Sequence, residues 1–256
     1  MRNKIKKYLA IFLLANLFVN CGSTEKVVYF QEVEGIKIDD KVVNFEPIIQ
    51  VGDLLAINVS AVDGAAALPF NLYETPTVSN SVAAADPIKY LVNAEGEINF
   101  PVLGKLKVAG FTTNKVTDNL TETLKPYIND PIVNIRITNF KVTVLGQVNS
   151  PGTYTIPNER VTILEAIGLA GDLEIHGKRK NVLLIREQNG KRTAVTIDLT
   201  NKELFASPYF YLSQNDVLYI EPNKVQVNAS AVGANTGVIL SGISIVLSVI
   251  TIFLIN

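Results

Sequence analysis

Few side chains in this sequence could do chemistry. There is one cysteine, Cys21, one histidine, His176, and no tryptophan. A single cysteine forbids an internal disulfide and excludes Cys or Cys/His zinc sites. With no second histidine, Cys–His and Ser–His–Asp schemes are unsupported. His176 lies in Glu-Ile-His-Gly-Lys-Arg-Lys, residues 174–180, which reads as a basic, solvated surface loop. Asp39-Asp40 could suggest paired carboxylates, but adjacent acids in a polar stretch read as solvated charges. The glycines from Gly104 to Gly110 lack the following Lys-Ser/Thr of a phosphate-binding loop. Asp53 and Asp216 sit in an internal echo, Gly52-Asp-Leu-Leu-Ala-Ile57 and Asn215-Asp-Val-Leu-Tyr-Ile220. The simplest role for each is a turn former that bonds its own backbone. The sequence therefore predicts no catalytic residue, no metal ligand and no cofactor other than a covalent lipid.

The lipid is the chemistry left for Cys21. Arg2, Lys4, Lys6 and Lys7 form a basic region, and Tyr8 to Val19 is an apolar run broken by Asn16, short for a membrane span. Cys21 follows where a bacterial lipoprotein signal places its lipidated residue. The box Phe18-Val19-Asn20-Cys21 departs from the usual Leu-Ala-Gly-Cys pattern at Phe18 and Asn20. A simple signal peptide cut nearby, leaving an odd thiol, is the alternative. Residues 1–20 are read as the signal and 21–45 as a polar, extended tether. Several acyl chains on one cysteine would hold a membrane far better than a single myristoyl chain.

A second membrane signal closes the chain. Val238 to Ile255 runs eighteen residues without a charge. As a helix it would be about 27 Å long, near the roughly 30 Å hydrocarbon core of a bilayer, and it is read as a transmembrane helix. Gly233, Gly237, Ser241, Ser244, Ser248 and Thr251 recur at spacings of 4, 4, 3, 4 and 3. They fall in one stripe roughly 80° wide. Small hydroxyls on one face of a greasy helix suit a wet lumen or a helix-packing seam. Alternatively, each hydroxyl satisfies itself on the carbonyl four residues back, in a buried helix or a lone anchor.

The body is read as α+β. Net charge is −1 over 256 residues, so no nucleic-acid footprint is visible. A turn at Gly52-Asp53 opens a strand through Val62, with Leu55, Ile57 and Val59 alternating inward. Asp63 to Pro87 reads as a long surface loop. Short strands follow at 88–92, 96–101 and 104–108, then a helix from Thr112 or Thr113 to Lys125 and a strand at 132–137. A second unit begins at Lys141: strands at 142–148 and 153–156, a helix opened by the capping box Thr162-x-x-Glu165 and stopped at Gly171, and strands at 182–186, 193–197 and 217–220. A hairpin, one short helix and further strands suggest a ubiquitin-like β-grasp. The proposed boundaries are 46–139, 140–222, a linker at 223–237 and the tail helix at 238–255.

The stretches VGDLLAINV (51–59), YLVNAEGEINFPVLGKLKVAGFT (90–112), PYINDPIVNIRI (126–137), VTVLGQVNSPGTYTI (142–156), TILEAIGLAGD (162–172), VLLIR (182–186) and NDVLYIEP (215–222), in this order, resemble the Wza-like polysaccharide export family of outer-membrane lipoproteins. The resemblance covers about residues 47–222. It implies a small mixed-sheet export domain and one soluble ligand-binding β-grasp (SLBB) domain. It also implies a homo-oligomeric ring in the outer membrane of a Gram-negative bacterium, lipid-anchored, with its body in the periplasm. Polysaccharide would be the transported substrate, membrane lipid the surroundings, and an inner-membrane polysaccharide co-polymerase or tyrosine kinase the partner. Capsular polysaccharide or exopolysaccharide would pass through a porin-like channel. Ala170-Gly171-Asp172 departs from the family's Ala-Gly-Gly, and the tail is more apolar than an amphipathic pore helix. Two other readings are a membrane-tethered β-grasp module binding glycan in the 150–181 region, and an inner-membrane-anchored accessory protein of polysaccharide secretion.

Overall fold

The computed structural model describes residues 28–31, 45–73, 87–188, 190–231 and 236–255. The basic and apolar segment 1–20 and Cys21 lie outside them. Strand β1 (Leu54–Ser60) buries Leu55, Ile57 and Val59 by simple alternation. Strand β2 (Lys89–Leu91) pairs with it, and β3 (Glu97–Phe100) and β4 (Gly104–Lys107) form a separate hairpin. Helix α1 (Thr113–Leu124) starts where the Thr112 hydroxyl accepts from Lys115 N at 3.2 Å. It buries Val116, Leu120 and Leu124 against strand β5 (Ile132–Ile137). The sheet order is β2-β1-β5, antiparallel throughout. The mixed sheet expected for this unit is thus absent among the described residues. β5 returns beside β1 only after the β3–β4 hairpin and α1, and it runs antiparallel to β1.

The second unit holds β6 (Lys141–Gly146), β7 (Gly152–Thr155), α2 (Ile163–Leu169), β8 (Gly177–Gln188), β9 (Lys191–Ile197) and β10 (Val217–Pro222). The strand order is β7-β6-β10-β8-β9. β10 runs parallel to β6 and antiparallel to β8. A hairpin, a helix and a returning strand inserted parallel to the first is the β-grasp arrangement. The capping box forms as the sequence predicts: Glu165 N donates to Thr162 Oγ1 at 3.1 Å and Thr162 N to Glu165 Oε2 at 2.7 Å. Gly146 has φ +92°, and a Cβ there would lie 2.0 Å from the Ile220 carbonyl oxygen. Only glycine fits this crossing of β6 and β10. One hydrophobic core runs through both units, with Phe140 buried where they join.

Four expectations need correction. The tether is bent rather than extended over Val28–Gln31, where Phe30 takes φ +48°. The loop after β1 folds into a helical turn, Gly64–Ala67, and a 3-10 turn, Leu68–Phe70. Asp63 caps that turn, and Ala67 and Phe70 are buried; apolar anchoring outweighed the missing periodicity. The stretch expected as a linker carries helix α3 (Lys224–Ala231). Finally, helix α4 (Thr236–Ile255) covers the expected span, yet among the described residues no helix is long and apolar enough to cross a membrane. The transmembrane assignment of 238–255 is therefore not supported.

Candidate functional site

The internal echo is a repeated turn with a buried acid. Gly52 and Asn215 both take positive φ, +87° and +64°. The next residue in each case is a fully buried aspartate. Asp53 Oδ2 accepts from Gln50 N at 2.8 Å, and Asp216 Oδ2 accepts from Ser213 N at 2.7 Å. Each acid thus bonds the amide three residues back, the role of a turn former. Their surroundings differ. Arg186 grips Asp216 with Nε at 3.0 Å and Nη2 at 2.7 Å, and Arg186 also lies over the Tyr209 ring. Burial raises the Asp216 carboxyl, and Arg186 pulls it back toward the charged form. Asp53 has no such cation, and its Oδ1 has no hydrogen-bond partner. Burial pushes its pKa up to about 6, against the lowering effect of the Gln50 amide and of Gln214.

The two units meet at Asn139. Its side chain ties back to the first unit: Leu54 N donates to Asn139 Oδ1 at 2.9 Å, and Asn139 Nδ2 donates to the Gly52 carbonyl at 3.1 Å. Gln214 closes the other side. Its Nε2 donates to the Asn139 carbonyl at 2.9 Å, and its Oε1 accepts from Lys141 N at 2.7 Å. Arg136 on β5 pairs with the buried Glu159 of the second unit at 2.9 Å. The Asn139 and Gln214 side chains thus bond main-chain groups on both sides of the joint, which stiffens it.

The tether and the tail reach the second unit at one loop. Tyr29 Oη donates to Asp172 Oδ1 at 2.5 Å. Phe30 N and Gln31 N donate to the Leu199 and Thr200 carbonyls at 3.3 and 2.9 Å, and the Phe30 ring stacks on Phe205. Arg179 lies over the Tyr29 ring. Burial, and then the hydrogen bond to Asp172, push the Tyr29 phenol well above its usual range. Asp172 sits at φ +71°, a left-handed position that suits glycine. The Ala-Gly-Asp departure thus has a local use: the carboxylate holds both Tyr29 and Leu173 N. Four residues on, the His176 carbonyl accepts from Asn223 N at 2.8 Å, immediately before α3. His176 therefore makes a main-chain joint. The basic run around it is the start of β8, with Arg179 buried, rather than a solvated loop.

Of the other predicted site residues, Gly233 lies outside the described residues, as does the Thr251 side chain. Gly237, Ser241, Ser244 and Ser248 lie along α4 and are exposed. Ser241 Oγ donates to the Gly237 carbonyl at 2.7 Å, and Ser248 Oγ to the Ser244 carbonyl at 2.8 Å. These two hydroxyls satisfy their donors within the helix and leave lone pairs outward. A cleft of about 460 Å³ opens on the first unit, lined by Asp63, Lys125, Tyr127, Asn129 and Asp130 among others. Among the described residues no group of His, Cys, Asp and Glu could hold a metal ion. Sequence reasoning missed Tyr29, Asn139, Arg179 and Gln214. The available signal was polar residues wedged between core positions, as Gln214 follows Leu212 and Asn139 precedes Phe140.

Comparison with known proteins agrees with this two-unit build. Residues 42–138 match the family described as polysaccharide biosynthesis/export protein. Residues 140–220 match the SLBB domain. The chain thus carries a polysaccharide export domain followed by an SLBB domain. Two relatives share the name EPS I polysaccharide export outer membrane protein EpsA. That of Ralstonia solanacearum is 27% identical over 62% of this chain and 44% of the relative. That of Ralstonia nicotianae is 29% identical over 57% of this chain and 40% of the relative. The match thus spans less than half the length of these relatives.

Proposed function

We propose that this chain is an outer-membrane component of polysaccharide export, lipid-anchored at Cys21 and assembled as a ring that acts as a passive conduit. The observation that carries the reading is the tandem of export unit and SLBB unit, matched end to end at 42–138 and 140–220 and built around one core. The relatives' names point to the same membrane and the same class of cargo. α4 adds a physical motive for assembly. Ile239, Ile243 and Ile245 stand exposed on a single copy, and such a surface needs other copies or lipid to cover it. The outward lone pairs of Ser241 and Ser248 suit a hydrated lumen or a seam between copies. A capsular or extracellular polysaccharide would pass without a tight site, driven by synthesis at the inner membrane through a co-polymerase or tyrosine kinase partner. The buried acids Asp53 and Asp216 act as turn formers in this reading, and no catalysis is involved. The test is native mass after detergent extraction of outer membranes. A ring gives a multiple of the single chain, and a monomer defeats the conduit.

A second reading, a glycan-binding module, is favoured by the cleft beside Tyr127, whose exposed ring could face a sugar. That cleft is on the export unit, away from the 150–181 region considered above. Saturable binding of a short glycan by a monomeric chain would support it.

A further inference from the structure

We propose that the cleft on the export unit is a saccharide subsite selective for amine-bearing sugars, in which the Tyr127 ring stacks on a sugar face and Asp63 and Asp130 receive the ammonium group. The inference deepens the glycan reading of that cleft and rests on it. Its first support is the ring. Tyr127 is 57% exposed, more than any other aromatic side chain among the described residues. That exposure is built in. Pro126 follows the end of α1, and Tyr127 N and Ile128 N both donate to the Leu124 carbonyl at 2.9 Å. The turn sends Ile128 into the core and Tyr127 outward. The ring is also oriented. The buried Phe70 meets it edge to face, with centroids 6.0 Å apart and planes at 63°. A fixed ring that is more than half open is a stacking platform.

The second support is the shape around it. The cleft holds about 460 Å³, inside the roughly 300–1,000 Å³ of small-molecule sites. Its walls are two turns, 62–66 after β1 and 125–130 after α1. Val62, Ala66 and the buried Ile128 give the C–H face of a sugar an apolar side. Asn129 and the two acids offer hydrogen bonds to its hydroxyls. A lysine side chain from a protein partner would use the ring and the acids, and would leave Asn129 and much of the volume without a task.

The third support is charge. The charged residues lining the cleft are Asp63, Asp130 and Lys125. Lys125 is taken up by Glu122 at 2.6 Å, and neither aspartate has a cation partner among the described residues. α1 ends at Leu124, so the negative end of its dipole lies at the same turn. Asp63 Oδ1 accepts from Ala65 N at 3.0 Å, and Oδ2 remains for a ligand. The site thus repels a uronic acid, accepts a neutral sugar through hydrogen bonds, and favours a hexosamine in its ammonium form. Both aspartates are exposed, so each contributes about two- to fivefold in affinity. A weak subsite of this kind holds a passing chain without trapping it.

The test is saturation-transfer NMR on the full chain in a polyoxyethylene detergent, which carries no sugar head group. The probes are the linear tetramers of glucosamine, N-acetylglucosamine and galacturonic acid, with tetralysine as a charge control. The expected result is that the glucosamine tetramer binds about fivefold or more tighter than the N-acetylated one, and that the galacturonic acid tetramer does not bind. Asparagine tolerates the left-handed backbone of Asp130, φ +48°, so Asp130→Asn keeps the turn. It should weaken the glucosamine tetramer about two- to fivefold and leave the N-acetylated one unchanged. Tyr127→Ala should weaken both about fivefold or more. Equal affinity for the two, with both weakened by Tyr127→Ala, overturns the amine selectivity and leaves the glycan reading standing. Binding of neither tetramer overturns both. Tetralysine that binds as tightly as the glucosamine tetramer overturns sugar recognition, because charge alone then suffices. Sugar binding that neither variant alters also overturns the proposal, because the sugar then sits elsewhere.

Discussion

Replacing Asp53 by asparagine isolates the charge that the first turn buries without a cation. In the folded chain Asp53 titrates at about 6, against an ordinary 3.8, because burial disfavours the carboxylate. Between those values the folded state holds a proton that the unfolded chain has released. Stability is therefore greatest at low pH as far as this group is concerned. It falls as the pH rises from about 4 to about 6, and is level beyond. A gap of about two units at 1.36 kcal/mol each comes to about 3 kcal/mol. Asp53→Asn has no such titration, and its Oδ1 can still accept from Gln50 N, so the turn survives. Its Nδ2 takes the place of the unpartnered Oδ1 and adds a cost that does not vary with pH. Urea unfolding of the full chain in non-ionic detergent, at pH 4 to 7, should show the mutant gaining about 3 kcal/mol on the parent across that range. Asp216 and Glu159 titrate in both proteins, so their contributions largely cancel in the difference. A difference that stays flat with pH would mean that Asp53 ionises normally and that water or a cation reaches Oδ1.

Arg186→Ala should act in the opposite sense at the sister turn. It leaves the fully buried Asp216 without its bidentate partner, at a cost of about 3–5 kcal/mol by urea unfolding, and adding Asp216→Asn should recover much of it. Gly146→Ala should abolish the SLBB sheet, a loss of more than about 4 kcal/mol read as protease sensitivity of residues 140–220, because its Cβ would overlap the Ile220 carbonyl. Tyr29→Phe removes the bond to Asp172. Amide exchange at Phe30 and Gln31 should then quicken about tenfold or more, while core amides of β10 keep their rates.

Alternation and caps were legible because they are local. Leu55, Ile57 and Val59, or Val116, Leu120 and Leu124, face inward at the period their element demands, and Thr162 with Glu165 closes a box three residues apart. The β-grasp order was legible only as an element sequence. The parallel placement of β10 beside β6 is a contact across about seventy residues that no local pattern encodes. The loop after β1 was misread because its two anchors, Ala67 and Phe70, are too few to make a period. Tyr29 and Asp172 are separated by 143 residues, and each alone is an ordinary polar side chain. What the sequence did hold was the anomaly of Asp172 where a glycine is the easier residue. A left-handed non-glycine costs of order 1 kcal/mol or more, and it persists where the side chain has a task.

The repeated turn gives that reasoning a wider use. Two turns of the same shape, Gln50–Asp53 and Ser213–Asp216, meet across the joint, where Gln214 of the second lies near enough to lower the Asp53 pKa and also holds the main chain on either side of Phe140. Arg186 fixes the second turn through its acid. The first turn has no cation, and Asn139 holds it through Gly52 O and Leu54 N. The stiffness of the joint therefore depends on Asn139 and Gln214 more than on either aspartate. It follows that Asp53→Asn should leave the relative placement of the two units unchanged while altering stability, and that Gln214→Ala should loosen the joint while leaving the core of each unit intact. Cleavage between residues 138 and 142 by an added protease separates the two cases: it should rise for Gln214→Ala and not for Asp53→Asn.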